Sequence, residues 1–276
     1  MSEPRIVFGV GASRAQTGWL YRYLAAHPDC KLRGLKELHY FDALDHGRLG
    51  RQLAEFEHQC AELPKSTRAD CRAWVETLRS GENDQGYLEY LSQEADGHLT
   101  ADITPAYSLL SFKRLQSMAT IAPQARFVYL MRDPVDRLWS HVRSIARQRS
   151  EKDGMVEGRA EHILTRVFSG DEREIVIRSD YKSALLKLAQ AVPAGRLLVT
   201  VSEHLSSVAS VTNLCAFLGI RVAAPTALDV SDDDARSQMD DKTWRQARAW
   251  LDEQYDFVAD WMGARPAGWN YALQRI

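Results

Sequence analysis

The chain has 276 residues, 45% of them hydrophobic, which is enough apolar material for the core of one large α/β domain. Its formal net charge of −2 provides no overall basic field, so we expect no nucleic-acid partner. No apolar run reaches the roughly 18 residues that a membrane span requires, and residues 1–5 lack the pattern of a signal peptide. These features predict a cytoplasmic protein.

The cysteines lack the paired spacing of a metal site, so we expect no metal. They are Cys30, Cys60, Cys71 and Cys215. Cys60 and Cys71 could bridge a loop, but scattered cysteines in such a chain favour free thiols.

The N-terminal stretch combines a short apolar run, a glycine-punctuated turn and an amphipathic helix. Residues 6–10 predict a buried strand, and residues 11–18 form the turn, with Arg14 inside it. Backbone amides of such a turn and the start of the following helix together attract anions. The turn predicts a phosphate site, although it ends in Ala-Gln-Thr-Gly at residues 15–18 instead of the Gly-Lys-Ser/Thr of a Walker A motif.

Further elements follow in alternation. We predict strands at residues 31–35, 98–102, 126–131 and 196–201, and helices at 112–121, 181–192, 208–218 and 242–262. Residues 42–97 have a polar helical pattern, residues 148–171 are charged and turn-rich, and residues 231–241 are acidic and loop-like. Near residue 134, Asp133 is a good N-cap and Pro134 a good first helical residue.

This order predicts one domain over residues 1–276 with a helical insertion at about 42–97 and a mobile segment at about 148–171. The fold class is α/β, with a mostly parallel central sheet between helices on both faces. Ligands of such sheets bind at the carboxyl ends of the strands. Polar side chains follow four predicted strands there: Arg14, Lys36 with Glu37, Asp102 with Thr104, and Arg132.

A second anion candidate lies after the strand at 126–131. Arg132 precedes the helix, and Arg137 and Ser140 share a helical face because they are three residues apart. A guanidinium and a hydroxyl at a helix start suit a phosphate. For Arg137, a surface ion pair with Asp133 is the alternative interpretation.

These motifs together resemble the sulfotransferases that use 3′-phosphoadenosine 5′-phosphosulfate (PAPS), especially the bacterial and heparan-sulfate-modifying branch. Four segments match the family's order: the turn and helix at residues 11–24 as its 5′-phosphosulfate loop, Lys36-Glu-Leu-His-Tyr-Phe41, Asp102-Ile-Thr-Pro-Ala-Tyr107, and Arg132-Asp-Pro-Val-Asp-Arg-Leu-Trp-Ser140 as its 3′-phosphate motif. The resemblance covers most of the chain and implies the three-layer P-loop-type fold, the donor PAPS and the product 3′-phosphoadenosine 5′-phosphate (PAP).

The chain departs from the family within the 5′ loop. The family usually has lysine at Arg14, glycine at Gln16 and threonine at Gly18. Arginine is a planar, permanently charged fork, and Gln16 adds a side chain where glycine lets the backbone close on a phosphate. Either the loop is remodelled or donor binding is weak.

The resemblance also implies roles for individual residues. Donor-binding residues are Gly11, Arg14, Ala15, Gln16, Thr17, Gly18, Trp19, Arg132 and Ser140, with core packing as the alternative for Trp19. Arg14 would stabilise the leaving phosphate oxygen. Glu37 is the candidate general base, with His39 as its helper or replacement, and Lys36, Asp102 and Thr104 are the candidate acceptor contacts.

The expected partner is a small-molecule or glycan acceptor with a hydroxyl or amine. Two alternative interpretations are a P-loop kinase-like transferase and a non-catalytic sulfotransferase-like protein whose 5′ loop has degenerated. The tryptophans of the last helix predict either core packing or a homodimer face.

Overall fold

The structure is a computed structural model that describes residues 4–150, 156–224 and 239–269, apart from the side chain of Glu157. Within these residues the centre is a parallel sheet in the order β2–β1–β3–β4. The strands are β1 Ile6–Gly11, β2 Thr100–Ile103, β3 Arg126–Met131 and β4 Leu197–Val201. The predicted α/β class is confirmed.

The two middle strands are apolar on both faces, as expected for a parallel sheet covered on both sides. Every residue of β1 and all of β3 except Arg126 are buried. Phe8 of β1 pairs with Phe127 of β3, and their rings lie 5.2 Å apart. A Cβ on Gly9 would lie 2.7 Å from Cδ1 of Ile103, so only glycine allows β1 and β2 to pack this closely. This rigid centre fixes the loops at the carboxyl ends.

Helices pack on both faces of the sheet. In chain order they are α1 Thr17–Ala26, α2 Tyr40–Asp45, α3 Leu49–Glu62, α4 Lys65–Arg79, α5 Asp84–Ser92, α6 Phe112–Ile121, α7 Pro134–Gln148, α8 Val156–Phe168, α9 Arg173–Arg178, α10 Tyr181–Ala191, α11 Val208–Leu218, α12 Asp241–Trp250 and α13 Asp252–Met262. A 3₁₀ turn, Pro105–Leu109, follows β2.

Helices α3 to α5 lie in the range predicted as a helical insertion, α2 begins two residues before it, and buried aromatic rings connect α2, α4 and α5. Tyr40 stacks on Tyr87 at 4.6 Å, and Trp74 meets both rings edge-on at 6.2 and 6.1 Å. This cluster fixes α2, and with it the residues just before α2, against the body of the protein.

A disulfide joins Cys60 of α3 to Cys71 of α4. The expectation of free thiols was therefore wrong for this pair, whereas Cys30 and Cys215 are free and buried. The two helices form a hairpin that brings the Cα atoms of Cys60 and Cys71 to 5.6 Å, within the usual range for a disulfide. The scattered spacing in the sequence concealed this proximity.

Three local predictions also need correction. Residues 156–168 of the expected mobile segment form α8, because an apolar stripe at Ala160, Ile163, Leu164 and Val167 is buried; residues 151–155 lie outside the described part. The expected strand at 31–35 is replaced by a single bridge from Cys30 to Leu99.

The predicted last helix is divided at Leu251 into α12 and α13. Most of the predicted loop at 231–241 lies outside the described residues. In the part of the chain that the structure covers, no helix has both the length and the apolar character needed to cross a bilayer.

Candidate active site

The β1 loop (residues 12–16) connects β1 directly to α1. Arg14 and Gln16 both have left-handed backbone, with φ of 67° and 60°. The first intrahelical donors of α1 are the N–H groups of Trp19 and Leu20, which bond to the carbonyl of Gln16. The N–H groups of Thr17 and Gly18 precede these bonds, as at any helix start, where they attract anions.

Left-handed backbone at residues other than glycine is concentrated around one cleft. The described residues with this conformation are Arg14, Gln16, Glu37, His39 and Asp96. All except Asp96 line a cleft of about 710 Å³ at the carboxyl ends of the strands. Residues in such unfavourable conformations cluster at functional sites, which makes the cleft the candidate active site.

The cleft brings together most of the predicted site residues. Arg14, Gln16, Thr17, Gly18, Trp19, Lys36, Glu37, His39, Arg132 and Ser140 all line it. Gly11 and Ala15 lie behind it: both are buried, and a Cβ on Gly11 would lie 2.5 Å from the Tyr129 ring. Gly11 and Ala15 therefore shape the β1 loop from beneath.

The two predicted anion segments meet directly. Arg14 donates from Nε to Oγ of Ser140 at 3.0 Å. Arg132 donates from Nη1 to the carbonyl of Arg14 at 3.4 Å. The cations from the loops after β1 and β3 thus face one cleft.

Helix α7 begins as the sequence predicts. Asp133 caps it by accepting the N–H of Val135 at 2.9 Å, and Pro134 is its first residue. Asp133 also accepts the hydroxyl of Tyr255 at 2.6 Å, which connects this helix start to α13. The cap orients the helix so that Ser140 faces the cleft.

Arg137 is neither a cleft residue nor a surface partner of Asp133. Its side chain is buried beneath the cleft, where it donates from Nη2 to the hydroxyl of Ser179. Its Nη1 is buried without a hydrogen-bond partner among the described residues. Burial lowers the pKa of this guanidinium. Both sequence interpretations of Arg137 were wrong, because its helical face turns into the core.

Glu37 and His39 form an ionic group with their neighbours Lys36 and Asp42. Lys36 pairs with Glu37, and Nδ1 of His39 lies 2.8 Å from Oδ2 of Asp42. Burial opposes the charge on His39, but hydrogen bonds to Asp42 and Glu37 outweigh it and raise the pKa of His39 to about 10. Burial likewise opposes the charge on Glu37, yet His39 and Lys36 lower the pKa of Glu37 to about 2. At neutral pH His39 is an imidazolium, so it cannot accept a proton.

Asp102 and Thr104 do not line the cleft. Asp102 is buried at 1% exposure and accepts hydroxyl groups from Tyr87, Thr104 and Tyr107 at 2.8, 2.6 and 2.7 Å. Tyr107 in turn accepts the backbone N–H of Tyr40 at 3.2 Å. Asp102 and Thr104, which the sequence predicted to contact the acceptor, instead belong to an internal hydrogen-bond network. This network fixes the backbone that follows His39.

The cleft extends beyond the predicted residues. Helix α7 contributes His141, Ser144, Ile145, Arg147 and Gln148, and the other additions are Ser13, Arg22, Pro105, Ala106, Glu174 and Arg178. Ser144 and Gln148 follow Ser140 at helical intervals of four, a pattern that the sequence does contain. Arg178 had no such signal, because it reaches the cleft from the short helix α9.

A family model described as the Sulfotransferase family matches residues 4–224. The chain belongs to the sulfotransferase family. A comparison with curated proteins finds no match. The cleft of this sulfotransferase lies within the matched range.

Solved structures share the fold. A sulfotransferase from Alicyclobacillus acidocaldarius aligns at 18% identity and a TM-score of 0.65, over 98% of this chain and 99% of the other. The sulfotransferase domain of the Synechococcus PCC 7002 olefin synthase aligns at 21% identity and a TM-score of 0.51, over 93% and 96%. A sulfotransferase domain from the curacin biosynthetic pathway aligns at 15% identity and a TM-score of 0.51, over 91% and 99%. At these identities the likeness concerns the fold.

Proposed function

We propose that this sulfotransferase moves a sulfuryl group from PAPS to a hydroxyl or amine acceptor. The observation that supports this most directly is the position of Arg14 and Arg132. They follow neighbouring strands, line one cleft and are connected through the Arg14 carbonyl. A donor with phosphates at both ends of an adenosine requires cations from two such loops.

The charges of the cleft fit this donor. The cations lining it are Arg14, Arg22, Lys36, His39, Arg132, Arg147 and Arg178, and the carboxylates are Glu37 and Glu174. The whole chain, in contrast, has a net charge of −2. The cleft therefore concentrates positive charge that the chain as a whole does not have, which favours a multiply charged anion.

Gln16 is one of the residues that line the cleft, and its Oε1 is buried without a hydrogen-bond partner in the described structure. Gln16 has the left-handed backbone that glycine, the family's usual residue here, adopts readily, so the β1 loop keeps a strained conformation despite the substitution. We take this as support for a donor loop adapted to its new residues over a degenerate one.

The donor supplies an activated sulfuryl group, and the protein supplies position and charge. We assign Arg14, with Thr17 and the start of α1, to the phosphate that leaves. Arg132 and Ser140 hold the 3′-phosphate. Trp19 lines the cleft and stacks on Tyr23 at 5.1 Å, so it offers a ring edge to the adenine while packing in the core.

Of the two base candidates we assign the role to Glu37, because it is ionised at neutral pH, although a pKa of about 2 makes it a weak base. The imidazolium of His39 orients Glu37, with Nε2 3.7 Å from Oε2. Lys36 lines the cleft, where it pairs with Glu37, and we assign it to the acceptor. We propose a carbohydrate as the acceptor. The cytoplasmic location and the homodimer remain predictions.

Titration calorimetry with PAP, and separately with ATP and magnesium, tests the proposal. We expect PAP to bind and ATP to give no response. Arg132→Gln should weaken PAP binding about 10- to 100-fold, because one charge-assisted contact is lost. Arg51→Gln is the control, since that side chain is 76% exposed on α3.

Other outcomes would contradict the proposal. ATP with magnesium binding more tightly than PAP would indicate a kinase-like transferase. Binding of neither nucleotide would indicate a non-catalytic relative. If PAP does bind, transfer of labelled sulfate from PAPS to a carbohydrate would identify the acceptor class directly.

A further inference from the structure

Arg178 brings a cation to the β1 loop from a distant part of the chain. It is the last residue of α9, and it donates from Nη1 to the hydroxyl of Ser13 at 3.0 Å. Its side chain is 23% exposed and lines the cleft. Ser13 directly precedes Arg14, so Arg14 and Arg178 reach the same loop from two sides.

The charge of Arg178 is only weakly compensated. Its ion pair with Glu174 is long, at 3.7 Å, and the Glu174 side chain is 69% exposed. Solvent screens an exposed pair of this kind, so the pair contributes little. The guanidinium therefore retains most of its attraction for a second anion.

His141 faces the same group of cations. It lines the cleft at 9% exposure, and its Nδ1 is buried without a partner in the described residues. The pKa of His141 is lowered to about 3, mainly by burial. The charges of Arg137 on the same helix, Arg178 on α9 and Arg14 in the β1 loop lower it further. An anion bound among these groups would compensate the repulsion between them.

We propose that Arg178 is a second cationic ligand for the 5′-phosphosulfate end of the donor. This inference rests on the proposed function. Arg178 contacts Ser13 in the 5′ loop, whereas Arg132 and Ser140 are assigned to the 3′-phosphate. The Nε of Arg14 bonds to Ser140, so the charge of the loop's own arginine is drawn toward α7. Arg178 supplies charge on the other side of the loop.

Matched ligands separate the two ends of the donor. We would titrate PAP, adenosine 5′-monophosphate and adenosine 3′-monophosphate into the wild type and Arg178→Gln. The variant should weaken PAP and the 5′-monophosphate about 10- to 100-fold and change the 3′-monophosphate less than about twofold. Arg132→Gln should give the opposite pattern for the two monophosphates.

Further variants control for folding and for indirect effects. Arg173→Gln removes the same charge from an exposed position of the same helix and should leave all three affinities unchanged. Arg178→Lys should recover part of the lost affinity, because it restores the charge. Ser13→Ala should cost less than about threefold if Arg178 acts on the ligand and not through Ser13.

The results distinguish failure of the inference from failure of the proposed function. If the wild type binds PAP and Arg178→Gln weakens both monophosphates equally, or neither, the role of Arg178 is wrong and the proposed function stands. If the wild type binds no PAP, both are wrong.

Discussion

Arg14 and Ser140 are hydrogen-bonded at 3.0 Å although 126 residues separate them in the chain. The bond joins the β1 loop to α7, the two segments assigned to opposite ends of the donor. A planar guanidinium can bond a hydroxyl through Nε and a phosphate through its Nη groups, whereas an ammonium group is a single point charge. The contact therefore indicates a loop adapted to arginine.

This geometry reverses a prediction from the sequence. Because the family usually has lysine at this position, the sequence predicts that Arg14→Lys raises turnover. The contact with Ser140 predicts the opposite, because the donors of lysine all lie on one nitrogen and cannot reproduce the separate Nε and Nη contacts of arginine. We expect PAP affinity in Arg14→Lys to fall about 10-fold, measured by calorimetry.

Arg51→Lys on α3 is the control for the chemical change itself and should bind PAP as the wild type does. Ser140→Ala should lower PAP affinity as well, because it removes both the bond to Arg14 and the assigned 3′-phosphate contact. A gain in affinity or turnover for Arg14→Lys would restore the view that arginine is a handicap.

The sequence was informative where local rules decide the structure. Apolar runs predicted β1 and β3, and Asp133 with Pro134 predicted the start of α7. The parallel sheet then explained why cations after separate strands face one cleft. These features depend on neighbouring residues or on topology, both of which a sequence pattern contains.

Tertiary contacts decided the rest. No sequence pattern near Asp102 predicts that its carboxylate is buried and accepts a hydrogen bond from Tyr87, 15 residues earlier. Arg178 lies on a six-residue helix, and its partner Ser13 is 165 residues away. Both positions look like ordinary polar residues in sequence, and only the packing distinguishes them.

Asp102 offers a test of internal support against acceptor contact. Asp102→Ala should lower the free energy of unfolding by roughly 3 kcal/mol, because buried hydroxyl groups of Tyr87, Thr104 and Tyr107 lose their acceptor. Urea denaturation measures this, with the exposed Asp260→Ala as control. PAP affinity below the unfolding transition should change less than about threefold. A stable variant that has lost only acceptor turnover would favour the original prediction.

The charge on His39 predicts a pH-dependent contribution to stability. Its pKa of about 10 lies above the usual 6.5, so its contribution is full below about pH 6.5 and is lost as the pH rises through 10. Glu37, with a pKa of about 2 against the usual 4.5, contributes fully above about pH 4.5 and loses that contribution as the pH falls through 2. Asp42 on α2 is the other carboxylate facing His39.

His39→Gln should therefore destabilise the protein most near neutral and mildly acidic pH. We expect a loss of about 1–2 kcal/mol at about pH 6, after allowance for solvent screening, and almost none near pH 10. Urea denaturation across this range measures the difference, with His162→Gln on the exposed face of α8 as control. A loss that grows with rising pH would mean that His39 is neutral in the folded protein.

The disulfide between Cys60 and Cys71 predicts how reduction affects the α3–α4 hairpin. It closes a loop with a sequence separation of 11, and cross-linking a loop of this size stabilises a protein by about 2–3 kcal/mol. Reduction, or Cys60→Ser with Cys71→Ser, should lower the free energy of unfolding by that amount. Disulfides persist in oxidising surroundings, so the bond argues against the predicted cytoplasmic location.

Thiol counting tests the bond itself. The unreduced, denatured protein should expose two thiols, from Cys30 and Cys215, and reduction should raise the count to four. The double serine variant should show the same count before and after reduction, and a reductant should leave its stability unchanged. Four thiols in the unreduced wild type would mean that α3 and α4 are held together by packing alone, and the cytoplasmic prediction would regain its support.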